Sequence, residues 1–187
     1  AELDDGFNIS KKKTIIFTSL LFLSLYNHAS SSIYIIIAIS LCLGLRNFKF
    51  FKICPKSVEA EKDFLRQNVS KRKKNYAYNY TILYDGKLIG GCGIKINQHR
   101  KFIGEIGYFI DEAYWRKGIA TKAVKLIEKI GFSKLGLSRI EIVMDIKHAG
   151  SKKVAVKCGY LKEGIMRKAI PDDSKLKDAY LYAKVLK

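Results

Sequence analysis

Two stretches of this chain bring chemically capable residue types into tight spacing. Glu105 lies inside an apolar run, Phe102 to Ile110, near Gly104 and Gly107. A carboxylate in such a run is costly to bury. It is therefore a proton acceptor held for use, a surface-facing strand residue, or half of an ion pair with a nearby lysine. Further on, Glu112-Ala113-Tyr114-Trp115-Arg116-Lys117-Gly118-Ile119-Ala120-Thr121 sets two cations directly before two small residues, and a strongly helical run to Lys129 follows. The first turn of a helix leaves backbone N–H groups without intrahelical partners at the positive end of its dipole, a ready seat for a pyrophosphate. Gly118 keeps a side chain from holding the anion off those amides, and small Ala120 serves the same end. Arg116 and Lys117 add charge. Taken alone this signal is weak, because an ordinary helix N-terminus with solvated lysines reads the same way.

Other chemistries find less support. The histidines His28, His99 and His148 form no metal-binding pattern, and Cys42, Cys54, Cys92 and Cys158 are too scattered for a zinc site or a redox dithiol. No metal is expected. The cysteines read as free thiols, which fits a reducing cytoplasm. Across 187 residues, Lys and Arg number 35 against 17 Asp and Glu, a formal +18 that favours anionic partners such as nucleotides, nucleic acid, ribosomes or acidic lipid surfaces. With 48% apolar and 28% charged residues the balance is globular rather than disordered or fibrous.

The elements that must position these residues are legible from Pro55 onward. Ser57, with Glu59 and Glu61 after it, is a capping start for a helix from about Val58 to Ser70. Tyr80 to Tyr84 and Lys87 to Ile94 are strands joined by Asp85-Gly86, a pair suited to the positive backbone angles of a tight hairpin. Phe102 to Ile110 is a further strand, in which Gly104 and Gly107 mark a bulge or a close approach to the backbone. In the next helix Ile119, Ala123, Leu126, Ile127 and Ile130 recur on one face, with Lys122, Lys125 and Lys129 on the other. Arg139 to Ile146 alternates as a strand. Ser151 to Tyr160 is a short helix ended by Gly159, and Tyr160 to Ile170 and Asp178 to Leu186 are two last strands. The sum is a mixed α/β sheet.

Residues 1–45 differ from the rest. Thr14 to Leu45 contains no Asp, Glu, Lys or Arg, and its two apolar runs, Thr14 to Tyr26 and Ile33 to Leu45, each fall short of the ~20 residues of a membrane-spanning helix. Lys11-Lys12-Lys13 before the first run and small residues around Ala29 to Ser32 also fit a secretory signal peptide. The β-branched Ile33-Tyr34-Ile35-Ile36-Ile37 suits a covered strand. The favoured expectation is a segment packed on a domain that spans 46–187; membrane association and a stretch whose encoded frame is not the ancestral one stay open.

Four phrases, in order, carry a resemblance: Asp85-Gly86-Lys87-Leu88-Ile89-Gly90-Gly91, Gly104-Glu105-Ile106-Gly107-Tyr108-Phe109-Ile110, Tyr114 to Thr121, and Ser151 to Tyr160 with Glu163-Gly164 after it. From about Leu45 to Leu186 the chain resembles the GNAT superfamily of N-acetyltransferases, in its ribosomal-protein N-acetyltransferase-like branch. The resemblance implies a largely antiparallel mixed sheet with splayed central parallel strands, flanked by helices. It further implies an acetyltransferase that takes acetyl-CoA as cosubstrate and passes the acetyl group to a primary amine, a protein N-terminus or a small amine, in a ternary complex. Phe109 and Ile110 would hold the pantetheine arm through their backbone. Arg116, Lys117, Gly118, Ile119, Ala120 and Thr121 would hold the pyrophosphate. Trp115 stands where the superfamily signature usually begins with Arg or Gln.

Glu105 occupies the position from which a family carboxylate takes the acceptor's proton, directly or through water. His148 stands where the family commonly has an Asn that touches the coenzyme arm, with a surface loop residue as the plainer reading. Ser151 matches the family serine and would place the pantetheine or the thiol. The acid that protonates the departing thiolate is a tyrosine by type, with eleven to choose from. A ribosomal protein is among the acceptors implied, the family is compatible with a homodimer, and the cytoplasm is the matching compartment. The rival from another class is a non-catalytic basic RNA- or ribosome-binding protein, motivated by the charge and by Lys71-Arg72-Lys73-Lys74-Asn75-Tyr76, with Tyr76, Tyr78 and Tyr80 as stacking platforms.

Overall fold

The structure, a computed structural model, describes residues 15–19, 58–172 and 175–186, with side chains from Arg66 onward. The proposed Ser57 cap, Cys42, Cys54, His28 and all of the uncharged stretch except Ile15–Ser19 lie outside the described residues. Seven strands form one sheet in the order β1-β2-β3-β4-β5-β7-β6. They are β1 (Ile15–Ser19), β2 (Ala77–Tyr84), β3 (Lys87–Ile96), β4 (Ile103–Ile110), β5 (Arg139–Asp145), β6 (Leu161–Asp172) and β7 (Lys175–Val185). Among the described residues the α-helices are α1 (Val58–Lys73), α2 (Ile119–Ser133) and α3 (Ala149–Lys157). The residues group into two compact units, one running to Cys92 and including Phe109–Ile119, the other holding Gly93–Tyr108 and Ala120 onward.

In the first unit β1 runs antiparallel to β2, from Ile15 opposite Tyr84 to Ser19 opposite Tyr80. The β2–β3 turn is the expected hairpin: Asp85 and Gly86 have φ of 50° and 74°, the paired positive angles of a turn that matches strand twist. The Asn79 side chain donates to Asn68 Oδ1 at 2.6 Å and joins β2 to α1. Arg72, at the end of α1, covers the rings of Tyr78 and Tyr80 at 5.2 and 5.0 Å. Two of the three aromatics named as base-stacking platforms are therefore engaged inside the protein. Gly90 and Gly91 are required by packing. A Cβ on Gly90 would lie 2.2 Å from the Phe109 carbonyl oxygen, and one on Gly91 would lie 2.8 Å from the Phe109 ring.

In the second unit β5 shows strict alternation, with Ile140, Ile142 and Met144 buried and the residues between them half-buried. Ala123, Val124 and Ile127 of α2 are fully buried, while Leu126 and Ile130 are half-buried and Lys122, Lys125 and Lys129 face solvent. Val124 extends the buried face beyond the expected set. Gly131 lets the helix approach the sheet, since a Cβ there would meet Ile140 at 2.8 Å and Ile94 at 3.0 Å. Lys184 of β7 fastens the layers by donating to Glu128 Oε1 at 2.6 Å and to the Cys158 carbonyl at 3.0 Å. Of the two readings of Gly104, the close approach holds and the bulge does not. The residue pairs in regular register with Ile140, without a bulge, and the space a Cβ would take is filled by Leu137 at 2.6 Å and Ile94 at 2.8 Å. The close approach there is made by the core. Gly107 has nothing within 4 Å.

Gly90→Ala should be among the most damaging conservative changes, because the atom in the way is backbone and cannot rotate aside. We expect a loss of about 3 kcal/mol, the upper part of the usual overpacking range, measured by urea unfolding.

Candidate active site

The site residues are laid out by β4 and by the chain that follows it. Asn97 N donates to the Ile103 carbonyl and Asp111 N to the Ile89 carbonyl, whereas Ser138 N and Arg139 N donate to the Phe102 carbonyl. Backbone groups alternate sides along a strand, so odd-numbered residues of β4 turn their amides and carbonyls to β3 and even-numbered ones turn theirs to the β5 side. The parallel register with β5 covers three pairs, Ile103 with Arg139, Gly104 with Ile140 and Glu105 with Glu141. Tyr108 and Ile110, beyond the last pair, direct their backbone toward that side. Phe109 directs its backbone to β3 and packs its ring by Gly91. Of the two residues expected to use their backbone, Phe109 thus faces β3 and Ile110 faces away from it, as Tyr108 does.

Between β4 and α2 the chain makes a tight turn. Asp111 accepts from Ala113 N at 3.0 Å and starts a single 3-10 turn, Glu112–Tyr114. The Trp115 indole N–H donates to the Ile110 carbonyl at 2.7 Å, folding the loop back on the strand end. Lys117 donates to the Ala113 carbonyl at 3.0 Å and lies over the Tyr114 ring at 4.6 Å. Arg116 and Gly118 both have positive φ, 60° and 74°, and a Cβ on Gly118 would meet nothing within 4 Å. Glycine is thus required at 118 for its backbone angle and leaves open space next to Ile119, where α2 begins. Ala120 and Thr121 lie in the first turn of α2. The Thr121 carbonyl accepts a weak hydrogen bond from the buried Cys158 thiol at 3.6 Å. Burial pushes that thiol up, so Cys158 stays a neutral donor.

The second unit brings Tyr108, His148 and Ser151 together. The hydroxyls of Tyr108 and Ser151 lie 2.8 Å apart, and Ser151 is 8% exposed. His148 is the N-cap of α3: its Nδ1 accepts from Ser151 N at 3.0 Å. The turn before it is held by Asp145, which accepts from Lys147 N at 2.7 Å through its side chain and from His148 N at 2.9 Å through its carbonyl. This half-buried cap replaces the loop reading of His148, and burial lowers its pKa, so the ring is neutral and can accept. Tyr108 is a residue that the sequence reading did not single out. Its place in the even register with buried Ile106 and Ile110 was the available signal, because a phenol on a buried face needs a partner for its hydroxyl.

Glu105 lies on the other face of β4. Its side chain reaches solvent, yet desolvation of the carboxyl raises its pKa, Lys95 lowers it in part, and Glu141 raises it further. Such a group is a better proton acceptor than an ordinary glutamate. Among the described residues no cluster of three metal-binding side chains occurs, and no helix is long and apolar enough to cross a membrane.

The profile of the acetyltransferase (GNAT) domain family matches residues 45–161. The chain belongs to this family. It is 34% identical over 117 residues to the probable N-acetyltransferase YjcK of Bacillus subtilis (strain 168), a match over 61% of this chain and 65% of that protein, just under two thirds of its length. The GNAT fold is shared with the microcin C7 self-immunity acetyltransferase MccE solved with acetyl-CoA and AMP, at a TM-score of 0.73 and 20% identity over 95% of this chain and 94% of that one. It is shared equally with a ribosomal-protein-S5-alanine acetyltransferase from Vibrio fischeri, at 0.74 and 22% over 96% of each. The parallel β4–β5 pair inside an otherwise antiparallel set, β1–β2, β5–β7 and β6–β7, is the arrangement the GNAT resemblance implied.

Removing the Tyr108 hydroxyl leaves Ser151, a buried polar group, short of one partner. Tyr108→Phe should cost about 1 kcal/mol, and Tyr108→Phe with Ser151→Ala should cost less than the two single changes added together. A double-mutant cycle by chemical unfolding reads this directly.

Proposed function

We propose that this chain is an acetyl-CoA dependent N-acetyltransferase that passes the acetyl group directly to a primary amine within a ternary complex. The observation that carries the reading, beside family membership, is the end of the β4–β5 register at Glu105, followed by an open, positively charged turn into α2. On this reading the backbone of Tyr108 and Ile110 holds the pantetheine arm. The amides at the start of α2, with Arg116, Lys117, Gly118, Ile119, Ala120 and Thr121, hold the pyrophosphate. The +18 charge of the chain draws in the anionic coenzyme.

The chemistry requires a neutral amine. An α-amino group with a pKa near 7.7 to 8.0 is partly protonated at neutral pH, and a lysine near 10.4 is almost wholly so. Glu105 removes that proton, directly or through water. The amine attacks the thioester carbon, the nitrogen gives its second proton to solvent as the C–S bond breaks, and the thiolate takes a proton from the Ser151 hydroxyl. Tyr108, donating to Ser151 Oγ, leaves the serine hydrogen to point at sulfur and is the tyrosine best placed to resupply it. His148 holds the backbone of Ser151 in place.

The acceptor favoured is a protein N-terminus, with a ribosomal protein among the candidates, as in the name of the Vibrio fischeri relative in fold. An α-amino group also asks least of the base. The need for acetyl-CoA and the buried thiols of Cys92 and Cys158, not joined in a disulfide, fit the cytoplasm.

Titration calorimetry with acetyl-CoA tests the phosphate seat. Gly118→Glu puts a carboxylate where the pyrophosphate would lie and should weaken binding at least ~100-fold, about 2.7 kcal/mol; equal binding by both proteins would remove the assigned loop. For Glu105→Gln, turnover should fall by about 10² to 10⁴ with acetyl-CoA affinity nearly unchanged. Undiminished turnover at saturating substrate means that Glu105 is not the base.

A further inference from the structure

Arg139 joins two carboxylates, Glu141 two positions on in β5 and Glu163 in β6. Its Nε donates to Glu141 Oε1 at 2.7 Å, one terminal nitrogen donates to Glu163 Oε1 at 2.8 Å, and the other donates to Glu163 Oε2. The parallel register sets Glu141 beside Glu105 on the neighbouring strand, and strict alternation puts both on one face. The groups facing Glu105 are therefore Lys95 from β3 and Glu141 from β5, with Arg139 behind Glu141 and Glu163 of β6 behind Arg139.

We propose that Arg139 is a positioning residue for the base: by holding Glu141 and being held by Glu163, it limits the negative charge that Glu105 meets and sets the pH above which Glu105 accepts a proton. The inference rests on the reading of Glu105 as the base. Two carboxylates on adjacent strands, about 4.8 Å apart in backbone spacing, repel each other, and Glu105 is pushed up by Glu141 unless a cation offsets that charge. Lys95 is exposed and mobile by type, whereas Arg139 is fixed by a fork of hydrogen bonds and stays charged at every accessible pH. Glu163 makes the fork rigid. Its own pKa is lowered by the Arg139 hydrogen bonds, so it remains anionic where Glu105 titrates.

The sign of each change follows. Glu141→Gln removes a negative neighbour and leaves Arg139 uncompensated on that side, so Glu105 loses its proton at lower pH. Arg139→Gln leaves Glu141 bare, so Glu105 holds its proton to higher pH. The Glu105 titration can be followed by carbon-13 NMR of glutamate carboxyl groups, with the resonance assigned by its loss in Glu105→Gln. We expect the midpoint to fall by about half a unit to one unit in Glu141→Gln and to rise by a similar amount in Arg139→Gln. The acid limb of kcat/KM, measured with acetyl-CoA and a short peptide bearing a free N-terminal alanine, should move the same way. Midpoints that stay put in both variants overturn the proposal, and Glu141→Gln alone decides it if Arg139→Gln does not fold. A midpoint that moves while the acid limb does not would instead sink the base assignment itself.

Discussion

The arrangement depends on how short the contact between β4 and β5 is. Three pairs, ending at Glu105 and Glu141, join these parallel strands before the recorded register stops. Parallel pairs supply evenly spaced, slanted hydrogen bonds and need a long crossover, which α2 provides. Had the register continued, the backbone of Tyr108 and Ile110 would be consumed by the sheet. Ending it at Glu105 puts the carboxylate where the pairing stops and, on the proposed function, leaves the rest of β4 to bind the coenzyme. The cost of the divergence is met by other ties, including the Trp115 indole on the Ile110 carbonyl and the paired hydroxyls of Tyr108 and Ser151.

Rigidity comes from the layers around that divergence. Lys184 reaches from β7 to Glu128 on α2 and to the end of α3 at Cys158, and Cys158 in turn touches the first turn of α2. On the proposed function α2 must not shift along its axis, because a displacement of about 1 Å is enough to weaken oriented dipoles. The buried face of Ala123, Val124 and Ile127 gives adhesion without fixing position along the sheet. The charged tie of Lys184 and the close approach at Gly131 supply the fix.

What the sequence disclosed was what is local. The Asp85-Gly86 turn, the alternation from Arg139 to Asp145 and the helix over Ile119–Ser133 depend on residues within a few positions of one another, and all three appear in the structure. Family phrases drew notice to the loop around Gly118, where the structure shows a positive φ and open surroundings. The pairs that enter the proposed chemistry were hidden by separation. Tyr108 and Ser151 are 43 positions apart, and Arg139 and Glu163 are 24 apart. No periodicity reports such pairs. His148 escaped for a different reason, since capping preferences name Ser, Thr, Asp and Asn, and a neutral imidazole accepting through Nδ1 does the same work less often. Gly104 was legible as a site of crowding, but a glycine in a strand does not say whether core or ligand does the crowding.

The alternation of β4 also constrains how this chain can diverge. Its odd residues face β3 and its even residues face the other side, so one residue gained or lost between Ile103 and Ile110 would reverse every assignment downstream of it. Amides meant for one neighbour would be offered to the other, and a change near Ile103 would send the carboxylate of Glu105 into the hydrocarbon face. The connection 97–102 lies outside this phase, so length variation can accumulate there while the strand itself admits substitutions only.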